Sequence, residues 1–439
     1  MTTLPGAELF PITARVNAEH HLEIGGLDVV DLASEHGTPL YLFDSATIRA
    51  MCRAFRGAFG DLYSKVHVSY SSKAFANPAL ARILEEEDIG MDVVSGGELA
   101  VARAVRFPPK HLNFHGNNKS PADLAEAVDY AIGRITVDSF HELKTLNEIA
   151  GARGKKQRIL LRVSPSIDAH THRLTTTGIL DTKFGFSIET GAAEEAVKVA
   201  LGLPNLALVG LHFHLGSPLF ELEPYEEAIQ YVMAFAAKMR ERHGLKLEEF
   251  SPGGGFAAGY VADRLPPAVP EYARTIVTAL EAACDAHSFD EPLLIIEPGR
   301  AIVARAGVAV YAVGAIKDIP GVRKYVSVNG GMGDNIRPAI YGSKYSAFCA
   351  NRIGEPHDDL VTIAGWYCES GDVLARDVKI PVVKPGDILA MPASGAYQIP
   401  MSSNYNMARR PPILLVGEGK AKLIRRRETY EDLLATSKV

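Results

Sequence analysis

A chain of 439 residues with 47% hydrophobic, 22% charged and 8% aromatic side chains has ordinary globular usage; disordered and fibrous classes are excluded. Lys plus Arg is 46 against 52 for Asp plus Glu, a net charge of −6, so the overall balance gives no case for nucleic acid or an anionic membrane surface as partner. The length leaves room for two or three domains, or for one large barrel with a companion.

In chain order, the segment HHLEIGGLDVVDLASEHGTPLYLFD offers β-like pieces before residue 45. Eight short runs rich in Val, Ile and Leu follow, beginning at Lys65, Gly90, His111, Ile135, Arg158, Leu208, Leu247 and Pro292. Stretches with apolar spacing i, i+3, i+4 separate most of them, and Asn77, Ser120 and Ser139 sit where helix N-caps belong. Eight strand–helix alternations over roughly 230 residues predict an α/β fold, a (β/α)8 TIM-type barrel at 45–297. An open doubly wound sheet is the alternative that periodicity alone leaves standing. After Arg300 the rhythm changes to short strands with Gly and Pro turns, a mainly β domain of sandwich or barrel-like type made of 298–439 together with 1–44. The tail RRRETYEDLL reads as a strand end followed by a short helix.

No run approaches the roughly 18 apolar residues of a bilayer span. The first residues lack the basic-then-apolar order of a signal peptide, and the four cysteines (Cys52, Cys284, Cys349, Cys368) are scattered with no CxxC pair. These features predict reduced thiols and a cytoplasmic protein.

The carboxyl ends of the eight runs carry Lys73, Ser95, His115, Asp138, His214, Ser217, Gly253 to Gly255, Glu297 and Arg300, on the rim where a barrel builds its active site. Taken alone, Lys73 reads as a surface lysine at a strand end; confined, it would lose its proton readily and form a Schiff base with an aldehyde. The triple glycine Gly253, Gly254, Gly255 lets backbone N–H groups wrap an anion, or is simply a flexible turn. His212 and His214 share a strand side, but no third ligand stands at a familiar zinc spacing, so no metal is expected. The alternative is an imidazole stacked on a flat ring with Ser217 on a phosphate. Glu297 and Arg300 of EPGR are either a structural ion pair or a carboxylate beside a pyridine nitrogen with a cation next to it. Cys368, flanked by acids, suits proton donation better than nucleophilic attack, with a buried inert thiol as the plain alternative.

The motifs YSSKAF, GNNKS, HFHLGS, GGGF, EPGR, GGMGDNIRPAIY, CESGD and GAY occur in the order found in the alanine-racemase-like, barrel-type pyridoxal-phosphate decarboxylases, which the chain resembles across residues 25–430. Within that family the resemblance is greatest to the enzymes that decarboxylate meso-2,6-diaminopimelate to L-lysine, the last step of lysine biosynthesis. It implies that Lys73 holds pyridoxal 5'-phosphate as a Schiff base, His214 stacks on the ring and Glu297 faces the pyridine nitrogen. Ser217, Gly253, Gly254, Gly255, Gly299 and Tyr397 would surround the phosphate. Arg300, Arg337, Tyr341 and Tyr397 would bind substrate carboxylate, and Glu369 the distal ammonium. Cys368, the expected proton donor, and Glu369 would reach the partner's site in a homodimer with shared active sites.

Two departures stand out: Asn329 where the family usually has Asp, and Pro218 where Gln is common. Neither removes a residue the chemistry needs. Competing readings are a decarboxylase of the same fold acting on another basic amino acid, a D-amino acid or carboxynorspermidine, and a non-catalytic partner-binding relative. A racemase would be expected to place a catalytic tyrosine in the β domain, where CESGD stands here.

Overall fold

The computed structural model describes residues 3–167, 177 and 181–438. The chain forms two compact units: residues 51–257 with 266–299, and residues 1–50 with 258–265 and 300–439.

In the first of these units all eight predicted runs are strands: β1 (Val66–Ser71), β2 (Gly90–Val93), β3 (Leu112–Phe114), β4 (Arg134–Val137), β5 (Gln157–Ser164), β6 (Leu206–His212), β7 (Glu249–Gly253) and β8 (Leu293–Ile296). They pair in parallel in the order β5, β6, β7, β8, β1, β2, β3, β4, and β4 pairs back with β5 to close the barrel. Closure removes the open doubly wound alternative. Asn77, Ser120 and Ser139 each accept a backbone N–H of the first helical turn, as their spacing predicts, and Ser95 does the same. The helix Pro78–Glu86 turns Leu80, Ala81, Ile83 and Leu84 inward, the stripe its apolar spacing requires.

The lumen is more polar than the usual Val, Ile and Leu layers. Arg134 on β4 reaches Glu249 on β7 at 2.8 Å; these strands are not neighbours, so the ion pair crosses the interior. Arg158 on β5 joins the same carboxylate at 2.9 Å. Leu160, Val209 and Ile295 form a small apolar cluster there. On β1 the alternation puts His67, Ser69 and Ser71 on one face, and the Ser69 hydroxyl donates to Asp92 of β2 at 2.6 Å.

The second unit is built on a nine-stranded sheet. Its strand Leu40–Asp44 lies between Gly307–Ile319, antiparallel, and Ile413–Gly417, parallel. Alternation sends Leu40 and Leu42 into an apolar core with Phe10, Ile24, Val308, Val310, Leu414 and Val416. Tyr41, on the other side, donates to Gln398 at 2.8 Å. The segment after Glu297 departs from the expected strand: Arg300–Val303 is a helical turn, with Ala304 N–H donating to Arg300 O at 2.9 Å, and the strand starts only at Gly307. The tail holds a strand, Lys420–Arg425, and a short helix, Tyr430–Leu434, as read from the sequence.

Candidate active site

Lys73 follows β1 in the turn Ser72–Ala74, with an exposed side chain. Gly299 packs against the residues around it. A Cβ there would lie 2.9 Å from Ser71 Cβ and Ser71 O, so only glycine allows this approach. The Glu297 carboxylate accepts from the Ser251 hydroxyl at 2.7 Å and from His212 Nε2 at 3.2 Å. Burial works against its charge. The His212 and His115 imidazoles and the Ser251 hydroxyl outweigh burial and hold the carboxyl well below the usual range. Asp92 goes the other way: burial first, then the Glu297 charge, pushes it far up. The two buried carboxyls are thus pushed in opposite directions, Glu297 towards its charged form and Asp92 towards its neutral one. Burial keeps His115 neutral, down to about 4, and its Nε2 accepts from Asn113 Nδ2 at 2.8 Å. The ligand atoms of His115, His212 and Glu297 lie within 4.8 Å of one another.

His214 points elsewhere. Burial, with the Lys73 and Arg162 charges, holds its imidazole well below the usual value, and Nδ1 accepts from Gly254 N–H at 3.3 Å. That bond ties a neutral ring to the glycine turn, which backbone sterics define. Gly253 has φ of 75°, and a Cβ on it would meet Phe213 O at 2.5 Å; Gly255 has φ of 115°, and a Cβ would meet Gly216 O at 2.7 Å. Two tyrosines that sequence reasoning missed peg this turn. Tyr225 donates to Gly254 O at 2.8 Å, and Tyr272 accepts from Ala257 N–H at 3.2 Å while donating to Leu219 O. A hydroxyl on an otherwise apolar helix face was their only signal. Ser217 is half-buried beside the turn, before a cis bond to Pro218.

The second unit brings together Arg300, Arg337, Tyr341 and Tyr397, and adds Tyr260 and Tyr345. Arg337 lies 5.4 Å from the Tyr341 ring centre, 5.7 Å from Tyr397 and 5.8 Å from Tyr260; Arg300 lies 4.7 Å from Tyr397. Arg337 Nε donates to the Tyr345 hydroxyl at 3.0 Å. Both guanidiniums are buried. Tyr397 has φ of 59°, a left-handed backbone that tyrosine rarely adopts and that costs about 1–3 kcal/mol. Tyr260 and Tyr345 carried no motif; Tyr260 lies five residues beyond Gly255.

Cys368 and Glu369 stand on a different loop of this unit, both exposed. The thiol is therefore not a buried inert one. Cys368 N–H donates to Asn406 Oδ1 at 3.0 Å, and the Asp372 carboxylate anchors the loop by accepting from Met332 N–H at 2.6 Å and Tyr367 N–H at 2.8 Å.

The barrel residues fit pyridoxal phosphate. A buried carboxylate kept ionised suits a protonated ring nitrogen, and a glycine turn that any Cβ would fill suits a phosphate. Residues 45–304 match the pyridoxal-binding domain of the pyridoxal-dependent decarboxylases. The diaminopimelate decarboxylase of Bacillus subtilis is 44% identical over 96% of this chain and 96% of its own length. Among solved structures, diaminopimelate decarboxylase from M. jannaschii in co-complex with L-lysine is 35% identical, covers 97% of this chain and 98% of its own, and superposes with a TM-score of 0.90. A lysine/ornithine decarboxylase from Vibrio vulnificus, 22% identical with a TM-score of 0.75, shares the fold. The fold and the site thus define a barrel-type pyridoxal-dependent decarboxylase. Among these, the chain belongs to the diaminopimelate decarboxylase family.

Proposed function

We propose that this chain decarboxylates meso-2,6-diaminopimelate to L-lysine and carbon dioxide. The observation that carries the reading is Arg337, a buried guanidinium with no carboxylate partner among the described residues. An uncompensated buried cation is costly, so the cage of tyrosines around it is built for an anion that arrives with the substrate. A simple diamine end would leave that charge unmet. Arg300, Arg337, Tyr341 and Tyr397 receive the carboxylate of the centre that does not react, and Glu369 its ammonium. Binding energy at that end orients the reacting end without changing during the reaction.

When bound, pyridoxal phosphate supplies the electron sink for the pair left behind by departing carbon dioxide, and a protonated ring nitrogen deepens that sink. Lys73 would carry the group covalently, and Ser217 with Gly253, Gly254, Gly255, Gly299 and Tyr397 would hold its phosphate. His214 would stack on the ring. Glu297, fixed by Ser251 and His212, would keep the ring nitrogen protonated. The Cys368 thiol returns a proton to the carbon that lost carbon dioxide. Residues 45–297 are the cofactor-binding barrel in this reading, and 1–44 with 298–439 the second domain.

Cys368 and Glu369 act in the site of a second copy, making the working unit a homodimer. Supporting this, the loop that holds them is surrounded by exposed apolar groups, Trp366 at 59%, Met407 at 55% and Tyr405 at 41% exposure. Such a patch on an ordinary soluble surface marks an interface. Free thiols at Cys284, Cys349 and Cys368 support a cytoplasmic setting. No helix among the described residues is long and apolar enough to cross a membrane.

The first measurement is an absorbance spectrum of the purified protein with pyridoxal phosphate, before and after meso-diaminopimelate, with carbon dioxide and lysine followed. A visible band absent in Lys73→Ala, together with L-lysine release, is the expected result. A band without lysine moves the substrate to another amino acid, and no band at all overturns the enzymatic reading.

A further inference from the structure

We propose that Tyr260 is a direct member of the substrate-carboxylate receptor, its phenol oxygen fixing the Arg300 guanidinium and its proton donated to the same carboxylate. The inference rests on the reading of Arg300 and Arg337 as that receptor and adds a residue which none of the recognised motifs contains.

Arg300 Nη1 donates to the Tyr260 oxygen at 2.7 Å. A guanidinium grips a carboxylate through two parallel N–H bonds, so the rotation of its plane decides whether the grip forms. A phenol acceptor on Nη1 sets that rotation at the end of a long side chain. The Tyr260 ring is held in turn: it meets Tyr345 edge-on at 5.2 Å, and the Arg300 and Arg337 guanidiniums lie 5.9 Å and 5.8 Å from its centre.

The hydroxyl proton is the second part of the argument. As acceptor from Arg300, the oxygen keeps its own O–H, and no acceptor for it is present among the described residues. A half-buried hydroxyl flanked by two guanidiniums and donating to nothing is matched to an anion that they attract. The two cations also make the phenol more acidic than usual despite its burial, which strengthens it as a donor. A carboxylate, with two oxygens and no protons, can accept from Arg300, Arg337 and Tyr260 together, whereas an ammonium, which has no lone pair, accepts from none of them and is repelled by the two guanidiniums.

The test uses holoenzyme and Tyr260→Phe, which keeps the ring and removes only the hydroxyl, with binding of L-lysine and of cadaverine measured by calorimetry. Lysine retains the carboxylate of the unreacted centre; cadaverine lacks it. The variant is expected to bind lysine about tenfold more weakly, the loss of one charged hydrogen bond, and cadaverine as the wild type does. In the reaction KM for meso-diaminopimelate should rise by a similar factor with kcat little changed. Tyr260→Phe added to Arg300→Lys should cost less than it does alone, because the two act through one contact. Unchanged lysine binding, or equal weakening of both ligands, overturns the inference. Equal affinity of the wild type for lysine and cadaverine instead overturns the reading of the arginines as carboxylate receptors.

Discussion

Asn329 uses both ends of its amide. Its Oδ1 accepts from Ala312 N–H at 3.0 Å, while Nδ2 donates to Thr38 O at 2.9 Å and Thr38 Oγ1 at 2.7 Å. An aspartate would keep the first bond but set a carboxylate against the Thr38 carbonyl. Asn329→Asp is therefore expected to lower the unfolding free energy by about 1–3 kcal/mol in urea titration, with the cofactor spectrum unchanged. His67, far down β1, is a second residue with a readable cost. Burial, with Arg134 and His111 nearby, pulls its imidazole down to about 4, and Nε2 has no hydrogen-bond partner. Below pH 6.5 the unfolded chain takes a proton that the folded chain refuses until about pH 4. The stability is thus whole above 6.5 and falls as the pH drops towards 4, the loss reaching about 2 kcal/mol at pH 5. His67→Asn should reduce the loss of unfolding free energy between pH 7.5 and 5 by that amount; equal losses in both proteins would sink the argument. The placement of Lys73 and Glu297 was legible at this scale because each sits in a short motif directly after a barrel strand. Asp92, pushed towards its neutral form by burial and by the Glu297 charge, was not, since that charge sits about two hundred residues away in sequence.

At the scale of elements, the glycine turn after β7 is the least replaceable piece. Gly255→Ala would put a methyl at φ of 115° and within 3 Å of Gly216 O, Leu219 Cδ1 and the Tyr225 hydroxyl. The strain is about 1–3 kcal/mol, and the turn must shift to relieve it. Titrating the apo-protein with pyridoxal phosphate should show affinity reduced more than tenfold, while Gly244→Ala, at a helix end with open space around it, leaves affinity alone. The eight barrel strands were legible because buried parallel strands read as continuous apolar runs and the helices between them as amphipathic stripes. Arg300–Val303 was not: AIVA has the apolar β-branched look of a strand, and it is the bond from Ala304 N–H back to Arg300 O that makes it a helical turn.

For the whole molecule, the shared-site reading makes a quantitative claim. Lys73→Ala and Cys368→Ala homodimers should each be nearly inactive, yet mixing them under subunit exchange should restore about a quarter of wild-type activity, since half the dimers are mixed and each then has one intact site. No recovery, with mixed dimers verified by mass, would show that each copy completes its own site. The exposed Trp366, Tyr405 and Met407 belong to this scale as well: Tyr367 stacks between Trp366 and Tyr405, yet each of the three leaves a large part of its surface open in a single copy.

What the amino-acid order determined by itself was local: strand and helix periods, caps, a glycine turn, and the residue types at strand ends that pyridoxal chemistry requires. These follow from rules reaching a few residues along the chain. Only the tertiary structure decided how distant segments share one polar environment. It threads Ala258–Leu265 out of the barrel sequence into the second unit, where Tyr260 meets Arg300 and Arg337. It sets Arg134 against Glu249 across the lumen, and it pushes the buried carboxyls of Glu297 and Asp92 in opposite directions. Charge, burial and hydrogen bonding act through space, and residues far apart in sequence acquire them only when the chain has closed around them.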